Sequence, residues 1–327
     1  MKKLLIAAVA VFSGLLGANA AVYLKANATG SGDGSSWANA CTTLSEAYTQ
    51  LQALEDTEEA STLYVAQGIY YTDEMTAVPF GALRIYGGYR AESNDDMERD
   101  IEEYPTIFAG IPSKYRNACW ARITPKLNSY SAPNYVVTEE PLIKDGKVNL
   151  IPAVGEYDAF CYNNCDSFTS VKPIVFQDGT GGIVSGIQFV GYKRDDQGTC
   201  IRIDVGSKKN AGKVVVENCT FAAMAAQTGV IGVRPNVVVD LQVKNCLFYG
   251  IKHQASGGCC IYYVGTATGS VEDCTFIGCH KNDGYLMGPI ITTATALISV
   301  KRCTFTHCFT ANGTGNGITA LIYQGYG

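Results

Sequence analysis

Val216-Glu217-Asn218-Cys219-Thr220-Phe221 is the first of four copies of the pattern Val-x-x-Cys-x-Phe; the others run from Val243 through Cys246 to Phe248, from Val271 through Cys274 to Phe276, and from Val300 through Cys303 to Phe305. Their starts lie 27, 28 and 29 residues apart. A near-constant period of that size marks a solenoid, in which each repeat hides its apolar face only by stacking on its neighbours. The motif is rich in β-branched, aromatic and thiol side chains and poor in helix formers, so the coils are read as strands. A second short apolar run precedes each copy, at residues 200–205, 230–233, 260–264 and 290–293, and a fifth, 318–323, follows the last. Gly-rich connections join them, and each coil reads as strand, turn, strand, loop.

Side chains alternate along a strand, so an unbroken strand would turn Val216 away from Cys219 and Phe221. A corner at Glu217-Asn218, where Asn tolerates the left-handed region, lets all three face inward. Coils stacked about 4.8 Å apart then place Cys219, Cys246, Cys274 and Cys303 in one internal column and Phe221, Phe248, Phe276 and Phe305 in another. Each buried Phe contributes about 1.5–3 kcal/mol. The residue after each Val alternates in sign, Glu217, Lys244, Glu272, Lys301, as lateral neighbours in a sheet should. Asp273 beside Arg302 repeats that logic.

At the other end, Lys2 and Lys3 precede an apolar run over 4–16, and Ala18-Asn19-Ala20 supplies a small-residue cleavage signal. Residues 1–20 are therefore read as a signal peptide and the mature chain as exported: secreted, periplasmic or at the cell surface. The apolar run is short for a membrane helix, which needs about 20 residues, and no later stretch is long and apolar enough to span. Loss of Lys2 and Lys3 takes the formal charge from −5 to −7. Nothing basic enough to follow a phosphate backbone is present, which argues against nucleic acid.

Thirteen cysteines in an exported chain invite a disulfide framework. Column neighbours, however, point the same way with Cβ atoms about 4.8 Å apart, beyond the usual 3.5–4.5 Å of a bridge. Buried thiols packing as small hydrophobes suit that column better. Cys161 and Cys165, in an irregular polar stretch, are candidates for a pair.

The mature N-terminus opens with a strand-like 22–24 and a glycine-rich loop, 30–37. Thr43 and Glu46 fit a capping box, and Leu44, Ala47, Tyr48, Leu51 and Leu54 share one face of the helix that follows. Such a helix covers the open end of a solenoid. Strands are expected at 62–66 and 82–86. Gly34-Ser35-Ser36-Trp37, the helix, Leu63-Tyr64-Val65-Ala66-Gln67-Gly68-Ile69-Tyr70, Tyr86-Gly87-Gly88-Tyr89, Arg99-Asp100 and Thr106-Ile107 together resemble the opening segment of bacterial secreted right-handed parallel β-helix proteins. Adhesin-like cell-surface members such as the chlamydial polymorphic membrane proteins are included in that resemblance. It implies an all-β, right-handed parallel β-helix with an N-terminal capping helix. Residues 21–110 are then the cap and first coils, 111–171 a lateral insertion or irregular coils, and 172–327 regular coils of about 27–32 residues. The fold carries lyases, hydrolases, adhesins and structural proteins alike, so it implies no single activity.

The residues separate those classes in part. A lyase site of the pectate-lyase type gathers carboxylates around Ca²⁺, yet the outward positions before the motifs read Arg202, Asp204, Gly232, Tyr262 and Thr292, one carboxylate among five. Hydrolysis of the polygalacturonase type needs several aspartates, and Asp195-Asp196 is the one tempting pair in the coils; a solvated turn explains it equally. Cys279-His280 and His307-Cys308 fall in neighbouring loops and offer zinc ligands; the plainer reading is a second internal thiol stack. No cofactor is expected. Aromatic residues of the insertion, Tyr115, Trp120 and Tyr162, are candidates for stacking on sugars. The expected function is a non-catalytic, adhesin-like protein presenting an extended surface to a glycan or another cell-envelope macromolecule. The alternatives are a polysaccharide lyase or glycoside hydrolase, and a structural module that associates through its C-terminal edge, because the chain stops just before a fifth motif is due.

Overall fold

The structure, a computed structural model, describes residues 21–54, 61–73, 75, 78–124, 134–152, 159–162, 172–204, 206–253, 260–281, 288–293, 296–310 and 322–325. Its strands are mostly parallel and stack in three rows, an all-β, solenoid-like arrangement. The first row contains Ala21–Leu24, Ser61–Ala66, Pro79–Tyr89, Ile174–Ser185, Asn210–Glu217, Val238–Lys244, Thr268–Glu272 and Leu297–Lys301. The second contains Gly68–Tyr71, Thr106–Ala109, Ile187–Val190, Thr220–Thr228, Leu247–His253, Thr275–Ile277 and Thr304–Thr306. The third branches from the start of Ile174–Ser185 and continues through Ile201–Ile203, Ile231–Val233, Ile261–Tyr263, Ile290–Thr293 and Ile322–Gly325.

The register superposes equivalent residues. Val22, Leu63, Ile85, Val184, Val216, Val243, Val271 and Val300 form one aliphatic line. Phe189, Phe221, Phe248, Phe276 and Phe305 stack face to face, with centroids 5.1, 4.9, 4.8 and 4.7 Å apart and ring planes within 11° of parallel. Each column thiol reaches back one coil: Cys219 to the Val184 carbonyl, Cys246 to Val216, Cys274 to Val243 and Cys303 to Val271, at 3.6–3.7 Å. The four sulfurs are unbridged. Burial pushes the Cys246 thiol well up, so it stays protonated and serves as packing.

Asn218, Asn245, Asp273 and Arg302 adopt φ of 49–54° at the expected corner, with Gly186 in the same place one coil earlier. A second left-handed corner follows each Phe by two residues, at Gly191, Ala223, Gly250, Gly278 and His307. It turns Tyr192, Met224, Ile251, Cys279 and Cys308 into the same core. The last turn is less covered than expected of core residues: Val300, Cys303 and Phe305 are half-buried, whereas Val271, Cys274 and Phe276 are buried.

The helix is Leu44–Leu54. Glu46 N–H donates to Thr43 Oγ1, and Thr43 N–H to Glu46 Oε2, closing the capping box. Leu44, Ala47, Tyr48 and Leu51 join the core that the first strands open, and Tyr48 meets Phe80 edge to face and donates to the Pro173 carbonyl. The described part of 111–171 does not join the rows. Cys119–Thr124 pairs antiparallel with both Asn134–Pro141 and Ala159–Tyr162, and Ile143–Lys144 with Lys147–Val148. Ile111, Trp120, Leu142 and Ile151 lie on the outer face of the second row, against Val190, Ala222, Ala225 and Tyr249. The expected leader, 1–20, lies outside the described residues, as do Cys165 and the side chain of Cys161. Among the described residues, no helix is long and apolar enough to cross a membrane.

Candidate binding surface

Outward neighbours of the aliphatic line form a second line: Tyr23, Tyr64, Tyr86, Ser185, Glu217, Lys244, Glu272, Lys301. In its charged half, opposite charges meet at the Glu272 end. Lys301 Nζ lies 3.8 Å from Glu272, and Arg302 bridges Glu272 at 3.3 Å and Asp273 at 2.6 Å. These are exposed pairs worth about 0–1 kcal/mol.

The other half is aromatic. Tyr23 and Tyr64 lie 5.5 Å apart, and Tyr64 and Tyr86 stack at 6.2 Å. Trp37 meets Tyr23 edge-on at 4.8 Å and Tyr89 at 5.7 Å. Tyr23, Tyr64 and Tyr86 stay half-buried while Trp37 and Tyr89 close the row from behind. Two segments hold this shelf. Trp37 Nε1–H donates to the Asp96 carbonyl, and Ala38 N–H to Asn94 Oδ1. Arg99 donates to the Gly87 carbonyl and to Ser185 Oγ with its guanidinium 5.7 Å from the Tyr86 centroid. Burial raises the Tyr23 and Tyr86 phenols, and pushes Tyr89 up to about 12, so the hydroxyls remain neutral at physiological pH. A neutral phenol both donates and accepts hydrogen bonds.

Where these strands end, a cleft of about 730 Å³ opens, lined among others by Lys25, Gln67, Arg90, Glu92, Asp145 and Lys147. Lys25 follows the first strand, Gln67 the second and Arg90 the third, while Asp145 and Lys147 come from the hairpin of the insertion. Two of its cations are already engaged. Lys25 donates to the Ala91 carbonyl, and Arg90 is clasped by Asp96 at 3.0 Å and Glu98 at 2.8 Å. Hydrogen bonds from Arg90 and from the Glu92 and Glu98 N–H groups hold the Asp96 carboxyl down to about 2. Such groups orient a polar ligand and are poor proton shuttles at neutral pH.

The residues singled out from sequence fare differently. Trp120 is fully buried, its Nε1–H donated to the Asn149 carbonyl and its ring edge-on to Tyr249 at 5.5 Å, so it offers no face to a sugar. That corrects the expectation: the antiparallel sheet needs an anchor on the coils, and a buried indole provides it. Tyr115 is half-buried beside Lys114, 4.8 Å from its ring. The Tyr162 side chain lies outside the described residues, as do those of Asp195 and Asp196, whose backbone falls where pairing with the next strand shifts register between Arg194 and Gln197. Asp204 is bracketed by Arg202 at 2.9 Å and Arg234 at 3.6 Å.

Cys279 and Cys308 point inward and donate to the Phe248 and Phe276 carbonyls, as a second thiol stack does. His280 is buried, its Nδ1 3.1 Å from the Gly278 carbonyl oxygen, and desolvation brings it down to about 4. Among the described residues, no three His, Cys, Asp or Glu gather as metal ligands do. No local sequence pattern marks the tyrosine shelf, because its members sit in three separate strands that only the register joins. No protein-family model, curated protein or solved structure matches the chain.

Proposed function

We propose that the chain is an exported, adhesin-like right-handed parallel β-helix protein that binds glycans without turning them over, using the tyrosine shelf and the adjoining cleft. The register that lines up Tyr23, Tyr64 and Tyr86 on the outside of three successive coils carries this reading. Half-buried rings held at fixed spacing by a stacked sheet lose little entropy on binding, and beside them the cleft supplies polar groups that are already oriented. Parallel crossovers favour the right-handed winding, the leader-like residues 1–20 favour export, and the engagement of Lys25 and Arg90 favours binding over catalysis.

The test is affinity electrophoresis and calorimetry of the mature chain on a panel of neutral and acidic polysaccharides, with product release followed in parallel. Expected is retention by at least one polysaccharide, no new chain ends, and about tenfold weaker binding by Tyr64→Ser. Failure to bind any member, or turnover abolished by Asp196→Ala, overturns the proposal. A second reading, assembly of copies through the C-terminal edge, is favoured by the half-buried Val300, Cys303 and Phe305. Sedimentation that shifts to monomer on Phe305→Asp supports it.

A further inference from the structure

Two interior columns face each other across the coils. One follows the second left-handed corner, running Met224, Ile251, Cys279, Cys308. The other opens the third row, where Cys200, Val230, Cys260 and Pro289 are joined by successive backbone hydrogen bonds. Members of one coil meet across the core: Cys200 Sγ lies 3.4 Å from Met224 Sδ, and Cys260 Sγ lies 3.5 Å from Cys279 Sγ. The chemistry differs only in the partner. The first pair is thiol against thioether and can form no disulfide, whereas the second is thiol against thiol.

We infer that Cys260 and Cys279 form a disulfide that closes this coil when the chain folds in the presence of a disulfide donor. Their sulfurs need approach by only about 1.5 Å to reach bonding distance. They also point toward each other, unlike the thiols of one column, which point the same way one coil apart. Both are buried, Cys260 at 0% and Cys279 at 2% exposure, so the bond forms before the coil closes over them. The donor is oxidised glutathione or the disulfide of a thiol oxidoreductase. One cysteine, as thiolate, attacks the donor's disulfide and releases the first donor thiol. The second attacks the cysteine sulfur of the resulting mixed disulfide and releases the second donor thiol. Two electrons and the two cysteine protons thus pass to the donor. The ring so closed joins residues 19 apart in sequence and encloses Thr268–Glu272 and Thr275–Ile277, the last coil whose Val, Cys and Phe are all buried.

The mature chain is refolded from denaturant in mixed oxidised and reduced glutathione, alkylated in denaturant without reductant, and cleaved after Lys252, Tyr262, Glu272, Phe276 and Lys281. Cleavage at those points separates Cys260, Cys274 and Cys279 into three fragments. Expected is fragment 253–262 joined to 277–281, parted by reductant, present in Cys259→Ser, Cys274→Ser and Cys308→Ser and absent from Cys260→Ser. Alkylation of both Cys260 and Cys279 in wild type, or linkage of Cys279 to Cys259, Cys274 or Cys308 instead, overturns the inference. The wild-type map is decisive whether or not a variant folds, once tandem mass spectrometry of the joined pair, breaking the chain between Cys259 and Cys260, shows which of the two carries the bridge.

Discussion

Along one outer line of the first row the early coils carry Tyr23, Tyr64 and Tyr86, and the late coils carry Glu217, Lys244, Glu272 and Lys301, while the inner line beside it stays aliphatic from Val22 to Val300. Stacking explains the contrast. An inward residue must match the residues directly above and below it in a dry core, so its type is repeated. An outward residue needs only a tolerable lateral neighbour, which a ring or an opposite charge supplies equally well. The exterior is therefore free to differ between the two ends of the molecule, and the proposed binding surface lies where it departs from simple charge alternation.

The largest expected effect is on the inner side. Phe248→Ala opens a void between the rings of Phe221 and Phe276 and lowers stability by about 4 kcal/mol, measured by urea unfolding. Phe305→Ala, at the half-buried end of the same column, lowers it by under about half as much; equal losses break the distinction between covered and uncovered coils.

Next in size is the interior's intolerance of charge. His280 is neutral when folded, with its value brought from 6.5 down to about 4 by burial. The unfolded chain therefore binds more protons between those limits. Stability from this group is complete above pH 6.5 and is lost as pH falls toward 4, by up to about 3 kcal/mol. His280→Gln flattens the dependence of the urea midpoint between pH 6.5 and 5, where few carboxylates titrate. A slope unchanged by the substitution contradicts the buried neutral ring.

The repeat, the corner at Asn218, the thiol and ring columns and the charge alternation were legible because the spacing is short and the motif recurs. The earlier coils were not. Ile187 stands where later coils have Cys, Gly186 makes the corner, and Tyr86 pairs with Ser185 across nearly a hundred residues of chain, the 111–171 insertion among them. The second corner left a usable trace, since Gly191, Gly250 and Gly278 each follow a column Phe by two residues. The shelf left none, because tyrosine in a half-exposed strand position is ordinary until its lateral neighbours are known. Trp120 misled for the converse reason, its burial being set by a sheet that no local pattern announces.

Two smaller effects sharpen the outer contrast. Tyr64→Ser weakens polysaccharide binding about tenfold, or about 1.4 kcal/mol, whereas Glu272→Lys leaves binding unchanged. Glu272→Lys instead places three lysines in succession beside Arg302 and lowers stability by about 0.5 kcal/mol, an effect that fades in high salt. Binding that follows Glu272 rather than Tyr64 would move the functional surface to the charged end.

The superposed interior is tested most directly by long-wavelength anomalous diffraction from crystals of the mature chain, which locates sulfur without reference to any backbone trace. The sulfurs of Cys219, Cys246, Cys274 and Cys303 should appear as four peaks on one line, evenly separated by about 4.8 Å. Peaks dispersed off a common line, or spaced unevenly along it, contradict the account.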